Sequence, residues 1–285
     1  MIGDVITHNL KVMGRHLMIR IDPSATMSVT VTRGCPMNCP HCGGHYLRHM
    51  VHVDDMERYV DKYNSFLISG GMMPDGHIPF EGYIPKLYDL KKRYDLKYNF
   101  HIGFPEDTPS QLDDLADVVS FDMFGDSTIL KSIYNISRTP KEILEVVTPL
   151  KAKKVPHITI GIMCGEITHE YAAIDLLSKY FNTVVLNVFI PTAQTRFQDC
   201  TPPRLEEVEE VFKYASERLE NVVLGCMHPK GEYRKRLQEG VQKYVDFLVK
   251  PVNKSVNKSV DTSNNSNDKI NDKIHDFCGC CAFRV

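Results

Sequence analysis

The sequence has no apolar run approaching the roughly 20 residues that cross a bilayer. Its first stretch, MIGDVITHNLKVMGRHLMIR, lacks the continuous apolar segment of a signal peptide. It also has little net charge, with 34 Lys and Arg set against 36 Asp and Glu for a formal charge of -2. The cations are scattered and form no polybasic arm, which argues against a nucleic-acid binder working through a general basic field. These absences describe a cytoplasmic protein with no nucleic-acid or membrane partner. Cysteine, by contrast, is plentiful, with nine residues. In a reducing compartment such residues are more often metal ligands or catalytic groups than disulfides. Six of them fall in two tight sets, Cys35, Cys39 and Cys42, and Cys278, Cys280 and Cys281; the others are Cys164, Cys200 and Cys226.

The chain has 285 residues, 42% of them hydrophobic and 25% charged, enough for a β/α barrel of about 250 residues. An arm at 1–26 precedes MSVTVT (Met27 to Thr32), which alternates like a strand and runs straight into the first cysteine set. Seven further apolar runs follow: SFLIS, KYNFHIGF, DVVSFDMF, VPHITIGIMC, TVVLNVFIP, NVVLGC and VDFLVKP. Between them lie segments with helical period, among them YIPKLYDLKKRY, PSQLDDLA, the stretch from Pro140 to Lys153, HEYAAIDLLSKYF, PRLEEVEEVFKYASERL and GEYRKRLQEGVQKY. Repeated βα units predict a complete or nearly complete parallel α/β barrel over 27–250. In such barrels the chemistry sits at the C-terminal ends of the strands, where the cysteine loop, SGG, HIGF, FDMFGD, CGE, IPT and GCMHP fall. Residues 251–274 are polar and repetitive and read as a flexible tether. Residues 275–285 then bring the second cysteine set back toward the barrel mouth.

Cys35, Cys39 and Cys42 stand in the spacing C-x3-C-x2-C. A closed tetrahedral zinc site would need a fourth ligand, which His41, His45 or His49 could supply. The alternative is a [4Fe-4S] cluster held by three thiolates, leaving one iron open. The second set, Cys278, Cys280 and Cys281, is costly to leave exposed to oxidation. With Cys226 it forms a candidate ligand set for an auxiliary iron-sulfur cluster. Elsewhere, His101 and His157 read as inward-facing strand residues, Asp126 as a helix cap, Glu166 and Arg234 as a candidate pair, Met72 and Met73 as packing residues, and Cys164 and Cys200 as structural.

The cysteine triplet directly after a first strand resembles the radical S-adenosylmethionine superfamily. SGG (Ser69, Gly70, Gly71) looks like the superfamily's Gly-Gly-Glu motif, with Met72 in place of the acid. GIMCGE, containing Gly161 and Glu166, resembles the fifth-strand motif near adenine, and NVFIPT, containing Pro191, the sixth-strand stretch that completes the adenine pocket. The resemblance implies a radical-SAM-type barrel that holds a [4Fe-4S] cluster with an open iron and S-adenosylmethionine. His41 would stack on the nucleotide, and His101 and Asp122 would touch the cofactor or substrate. It implies reductive cleavage to a 5'-deoxyadenosyl radical that abstracts hydrogen, with ferredoxin or flavodoxin as the electron donor.

Longer stretches, VVSFDMFGDSTIL, FIPTAQTRF, LGCMHPKGEYR and the Cys-Cys-Ala-Phe segment, resemble biotin-synthase-like proteins that include two-protein lipoyl synthases. That likeness implies sulfur insertion into an octanoylated lipoyl carrier protein together with a paralogous radical SAM protein. Methylation or rearrangement in another cofactor pathway, and a non-catalytic zinc or iron-sulfur scaffold, are the alternatives.

Overall fold

A computed structural model describes residues 18–249, 276–278 and 281–284, with side chains described for neither 276–278 nor 281 and 284. The first part of the arm, the tether at 251–274 and Cys280 lie outside the described residues. The described strands are β1 (Ile19–Asp22), β2 (Thr26–Thr30), β3 (Val51–His52), β4 (Ser65–Ser69), β5 (Lys97–His101), β6 (Val118–Asp122), β7 (Lys153–Ile160), β8 (Thr183–Val188), β9 (Asn221–Leu224), β10 (Phe247–Val249) and β11 (Asp276–Cys278). All of them pair in parallel, in the spatial order β11-β1-β10-β9-β8-β7-β6-β5-β4-β2-β3. The helices are α1 (Ile84–Tyr94), α2 (Ser127–Tyr134), α3 (Pro140–Val147), α4 (Glu170–Leu177), α5 (Leu205–Ser216), α6 (Glu232–Val241) and α7 (Cys281–Arg284).

The sheet must curl. β1 pairs with β10 and β2 pairs with β4, yet only Pro23–Ala25 separate β1 from β2. So short a link spans about one residue length per step, so the two sides of the sheet have to meet there, as the predicted barrel requires. The eight expected strands all form. The structure adds β1, inside the segment read as an arm, together with the two-residue β3 and with β11, which lies beside β1 at that seam.

Strand alternation divides outside from inside. In β5, Tyr98 and Phe100 are fully buried with Leu87 and Leu90 of α1, and the Tyr98 hydroxyl donates to the Leu87 carbonyl at 3.1 Å. Asn99 and His101 therefore face the lumen. By the same alternation Ser65 and Ser69 of β4, and Ser120 and Asp122 of β6, also face inward. The helix starts are locally encoded: Asp126 caps α2 by accepting from the Thr128 amide at 2.7 Å, as expected for this residue, and Thr139 with Glu142 forms a capping box on α3.

Two helix expectations change. PSQLDDLA forms one 3-10 turn, Ser110–Leu112, with Pro109, Leu112 and Leu115 as its buried residues, too few for a helical stripe. STILKSIY, passed over between a strand and the next helix, forms α2 with Ile129, Leu130 and Ile133 buried.

Candidate functional site

The cysteine loop leaves β2 and turns through three left-handed residues, Asn38, Gly43 and Gly44, at φ 43°, 51° and 72°. The Cys39 carbonyl accepts from the Cys42 and Gly43 amides at 3.2 and 2.9 Å. Gly70 and Gly71 explain how this loop sits on the barrel. A Cβ on Gly71 would stand 2.1 Å from the Gly34 carbonyl oxygen and 2.8 Å from the Cys35 Cα, so the loop is pressed against bare backbone. The Gly71 amide donates to the Thr32 hydroxyl, and Cys35 Sγ lies 3.8 Å from the Met72 carbonyl. Ser69 Oγ donates to the His101 carbonyl at 3.2 Å, joining the ends of β4 and β5.

The thiols are electrostatically unlike one another. Cys39 donates to Cys42, so the pair shares a proton: Cys39 is pushed up, and Cys42 is brought down to about 4 by that bond, with His41 and the Gly44 amide adding to it against burial. A thiolate is therefore available at neutral pH, as metal ligation requires. Among the described residues no three His, Cys, Asp or Glu side chains converge as ligands of one ion. His41 carries a buried Nδ1 with no hydrogen-bond partner and packs edge-on to Tyr134 at 5.4 Å. That unmatched polar atom beside the thiols is open to a bound group.

Behind the loop a polar row lines the lumen. His101 Nε2 lies 3.6 Å from Asp122 Oδ1, and the His101 and His157 rings are 5.8 Å apart. Burial pushes the Asp122 carboxyl up, but His101, His157 and His41 outweigh it and hold the carboxyl below its ordinary range. Burial and then His101 bring His157 down to about 4. A neutral His157 whose Nδ1 lies 3.1 Å from the Val155 carbonyl donates there, so Nε2 is an acceptor. Ser120 Oγ donates to Asn99 Oδ1 at 2.9 Å just below.

Two further loops close over the cysteines. The one after β8 places Pro191 half-buried, donates from the Phe197 amide to the Pro40 carbonyl at 3.0 Å, brings Thr195 to Gly43 and hydrogen-bonds Thr192 to Tyr46. The one after β7 presses Gly161, at φ 72°, against Pro203. A Cys164–Cys200 disulfide ties these two loops together. This departs from the expectation that the cysteines would be ligands rather than disulfides, although the pair is structural, as the reading of those two residues anticipated. Glu166 is exposed, and no ion pair joins it to Arg234 among the described residues. Arg204 is the cation that feels its charge. Sequence reading passed over the organising acid of this turn, Glu170, which is fully buried and accepts from the Gly161, Thr168 and His169 amides at 2.8, 2.7 and 2.9 Å. An acid at the first position of a helix was the available signal.

Of the second cysteine set, Cys278 is in register with Asp22, and Cys281 opens α7. Ala282, next in line, is fully buried with Ile21, Val118, Val155, Val185, Val223, Phe247 and Val249, and the half-buried Cys226 packs on the same cluster. Away from this site, a cleft of about 740 Å³ between the loops after β4 and β5 is lined by Asp75, Phe80, Glu81 and Glu106 among others. It includes none of the site residues named above.

No protein-family model and no curated protein matches the chain. Among solved structures, methylornithine synthase aligns at 9% identity with a TM-score of 0.55, covering 81% of this chain and 72% of that one. GGGPS from Thermoplasma volcanium aligns at 13% identity and a TM-score of 0.37, covering 84% of this chain and 88% of that one, too distant to carry an argument. The first likeness shows the fold, an α/β parallel barrel of the predicted kind. None of the described helices is long and apolar enough to cross a membrane.

Proposed function

We propose that the protein is a radical S-adenosylmethionine enzyme. The observation that carries this reading is the three-cysteine loop seated on the Gly70-Gly71 backbone at the mouth of a parallel barrel, with one thiol already lowered to about 4. Cys35, Cys39 and Cys42 would hold a [4Fe-4S] cluster with one open iron. Ser69, Gly70 and Gly71 would present backbone to the methionine end of the cofactor. Gly161, Glu166 and Pro191, on the two loops braced by the disulfide, would bound its adenine end, with His41 between. When bound, the cluster and S-adenosylmethionine supply one-electron chemistry that removes hydrogen from an unactivated carbon. The barrel's part is to hold the reacting carbon, exclude water, and present Asp122 as an acceptor beside His101.

The finer reading is sulfur insertion of the biotin or lipoyl synthase type, into an octanoyl chain on a lipoyl carrier protein in the cytoplasm, with a paralogous radical protein. Its support is the second cysteine set: Ala282, next to Cys281 in the chain, and Cys226 pack on one apolar cluster. Cys278, Cys280, Cys281 and Cys226 would hold an auxiliary cluster able to yield sulfide. The polar row of Asn99, Ser120, His101 and Asp122 favours a second reading, in which a substrate with hydrogen-bonding groups undergoes rearrangement or methylation instead.

The test is anaerobic reconstitution with iron and sulfide, followed by dithionite and S-adenosylmethionine, with and without an octanoyl-lysyl peptide. The wild type should bind about eight irons if both clusters form. The Cys35, Cys39 and Cys42 triple alanine variant should lose about half of that iron and all 5'-deoxyadenosine. Product that rises with the peptide, together with sulfur in the peptide, supports the finer reading. Product indifferent to the peptide favours the second. A loaded wild-type protein that makes none sinks the proposal.

A further inference from the structure

Cys164 and Cys200, joined across 36 positions, enter the reading above only as a brace. Cys164 is exposed and Cys200 half-buried. Cys164 is also held at φ 57°, in the left-handed region that residues with a side chain seldom occupy, and Gly165 follows at φ 95°.

The two loops that this pair joins are otherwise bonded each within itself. After β7, the Gly165 amide donates to the Gly161 carbonyl at 2.8 Å and the Glu166 amide to the Met163 carbonyl at 3.1 Å. After β8, the Thr195 hydroxyl donates to the Thr192 carbonyl at 2.7 Å, the Gln194 amide to Gln198 Oε1 at 3.0 Å and the Cys200 amide to the Phe197 carbonyl at 3.2 Å. Among the described residues no hydrogen bond or ion pair runs between 162–169 and 190–202. The disulfide is therefore the bond that couples them. On its other side the loop after β8 holds Pro40 through the Phe197 amide, touches Gly43 through Thr195 and bonds Tyr46 through Thr192. Pro40 follows Cys39 and Gly43 follows Cys42 in the chain. An exposed sulfur is thus linked, through one loop, to the segment that carries those two thiols.

We propose that Cys164–Cys200 is a reversible redox site, opened by a dithiol protein of the thioredoxin class through attack on Cys164, and that its opening loosens the loop after β8 from the cysteine loop. Exposed disulfides are the labile and regulatory ones, and cutting a cross-link returns conformational freedom to the chain it closed. In the first step a carrier thiolate attacks Cys164 Sγ, the bond to Cys200 breaks, and Cys200 leaves as a thiolate that takes up a proton. The carrier's second thiol then displaces Cys164. Two electrons and two protons have passed from the carrier to the pair, and the carrier's dithiol has become a disulfide. Oxidised carrier runs the same steps in reverse. The proposal holds whatever Cys35, Cys39 and Cys42 bind, so it stands apart from the radical reading.

The test uses the full-length, iron-free protein with reduced or oxidised thioredoxin. Mass spectrometry after alkylation reads the state of Cys164 and Cys200. Two rates read the cover: tryptic cleavage after the exposed Arg196 and alkylation of Cys42. We expect reduced thioredoxin to open the pair and raise both rates by roughly fivefold or more, and oxidised thioredoxin to restore them. A Cys164→Ser, Cys200→Ser variant should show the fast rates in both redox states. The wild type, read in both states, keeps the test independent of how well that variant folds. Thioredoxin lacking its resolving cysteine should be trapped on Cys164. A pair that stays oxidised under excess reduced thioredoxin overturns the proposal, as does one that opens with both rates unchanged. Trapping on Cys200 instead refutes the assigned point of attack.

Discussion

Along β4, β5 and β6 the lumen-facing positions are mostly polar, Ser65, Ser69, Asn99, His101, Ser120 and Asp122 beside Leu67 and Val118, whereas along β8, β9 and β10 they are mostly apolar, Val185, Val223, Phe247 and Val249 beside Thr183 and Asn187. The change occurs within single rows of the sheet: Asp122 is in register with His157, His157 with Val185, Val185 with Val223, and Val223 with Phe247. Strand geometry is the same throughout, so the side chains alone set the character of each side. Ala282 packs fully buried on Val185, Val223, Phe247 and Val249 of the apolar side, in a cluster that reaches Val118 and Val155. On the polar side the groups are partly paired with one another and retain acceptor capacity at Asp122 and at His157 Nε2. The barrel thus separates a face that the chain seals from a face suited to a hydrogen-bonding ligand.

The contrast is broken most severely by putting charge into the sealed side. Ala282→Asp buries a carboxyl among valines and should cost about 3 to 5 kcal/mol or eject the segment. Thermal melting together with limited proteolysis near 281–284 would show which, and an unchanged melt with an uncut segment would refute the seal.

A smaller effect comes from His157. Its pKa is lowered to about 4 in the fold against about 6.5 unfolded, so the unfolded chain binds the extra proton first. Stability is therefore full above about pH 6.5 and falls by up to about 3 kcal/mol as pH drops toward 4. His157→Gln should remove most of that slope in denaturant melts between those pH values. A variant that keeps the wild-type slope assigns it to other groups.

The smallest is Ser120→Ala, which deletes the 2.9 Å bond to Asn99 and should cost about 1 kcal/mol. If it cost nothing, the polar side would owe little to its internal pairing.

Much of this was legible in the sequence because the eight expected strands lie in apolar runs that alternate with helical segments, and because the three thiols fall within eight positions. What was not legible has physical reasons. β3 has two residues, too few for alternation to register, and β1 precedes the first βα repeat that the reading relied on. α2 is eight residues long and lies between a strand and a second helix, so only its cap, Asp126, stood out. Cys164 and Cys200 are separated by 36 positions, and no local pattern pairs them. His157 reads as a core histidine from its strand alone; its closeness to His101 and Asp122 depends on two neighbouring strands lying in register.

The seam beside Pro23–Ala25 also bears on how the barrel is made. β1 lies between β10 and β11, so its partners are near the far end of the described chain. During synthesis β1 is made well before β10 and β11 and waits with both backbone edges unpaired until they follow. Such an edge invites pairing with foreign strands, and contacts this distant in sequence form slowly. Closure of the seam is therefore the step in which a nascent chain is most exposed to aggregation, and a chain truncated before β10 would carry that exposed edge permanently.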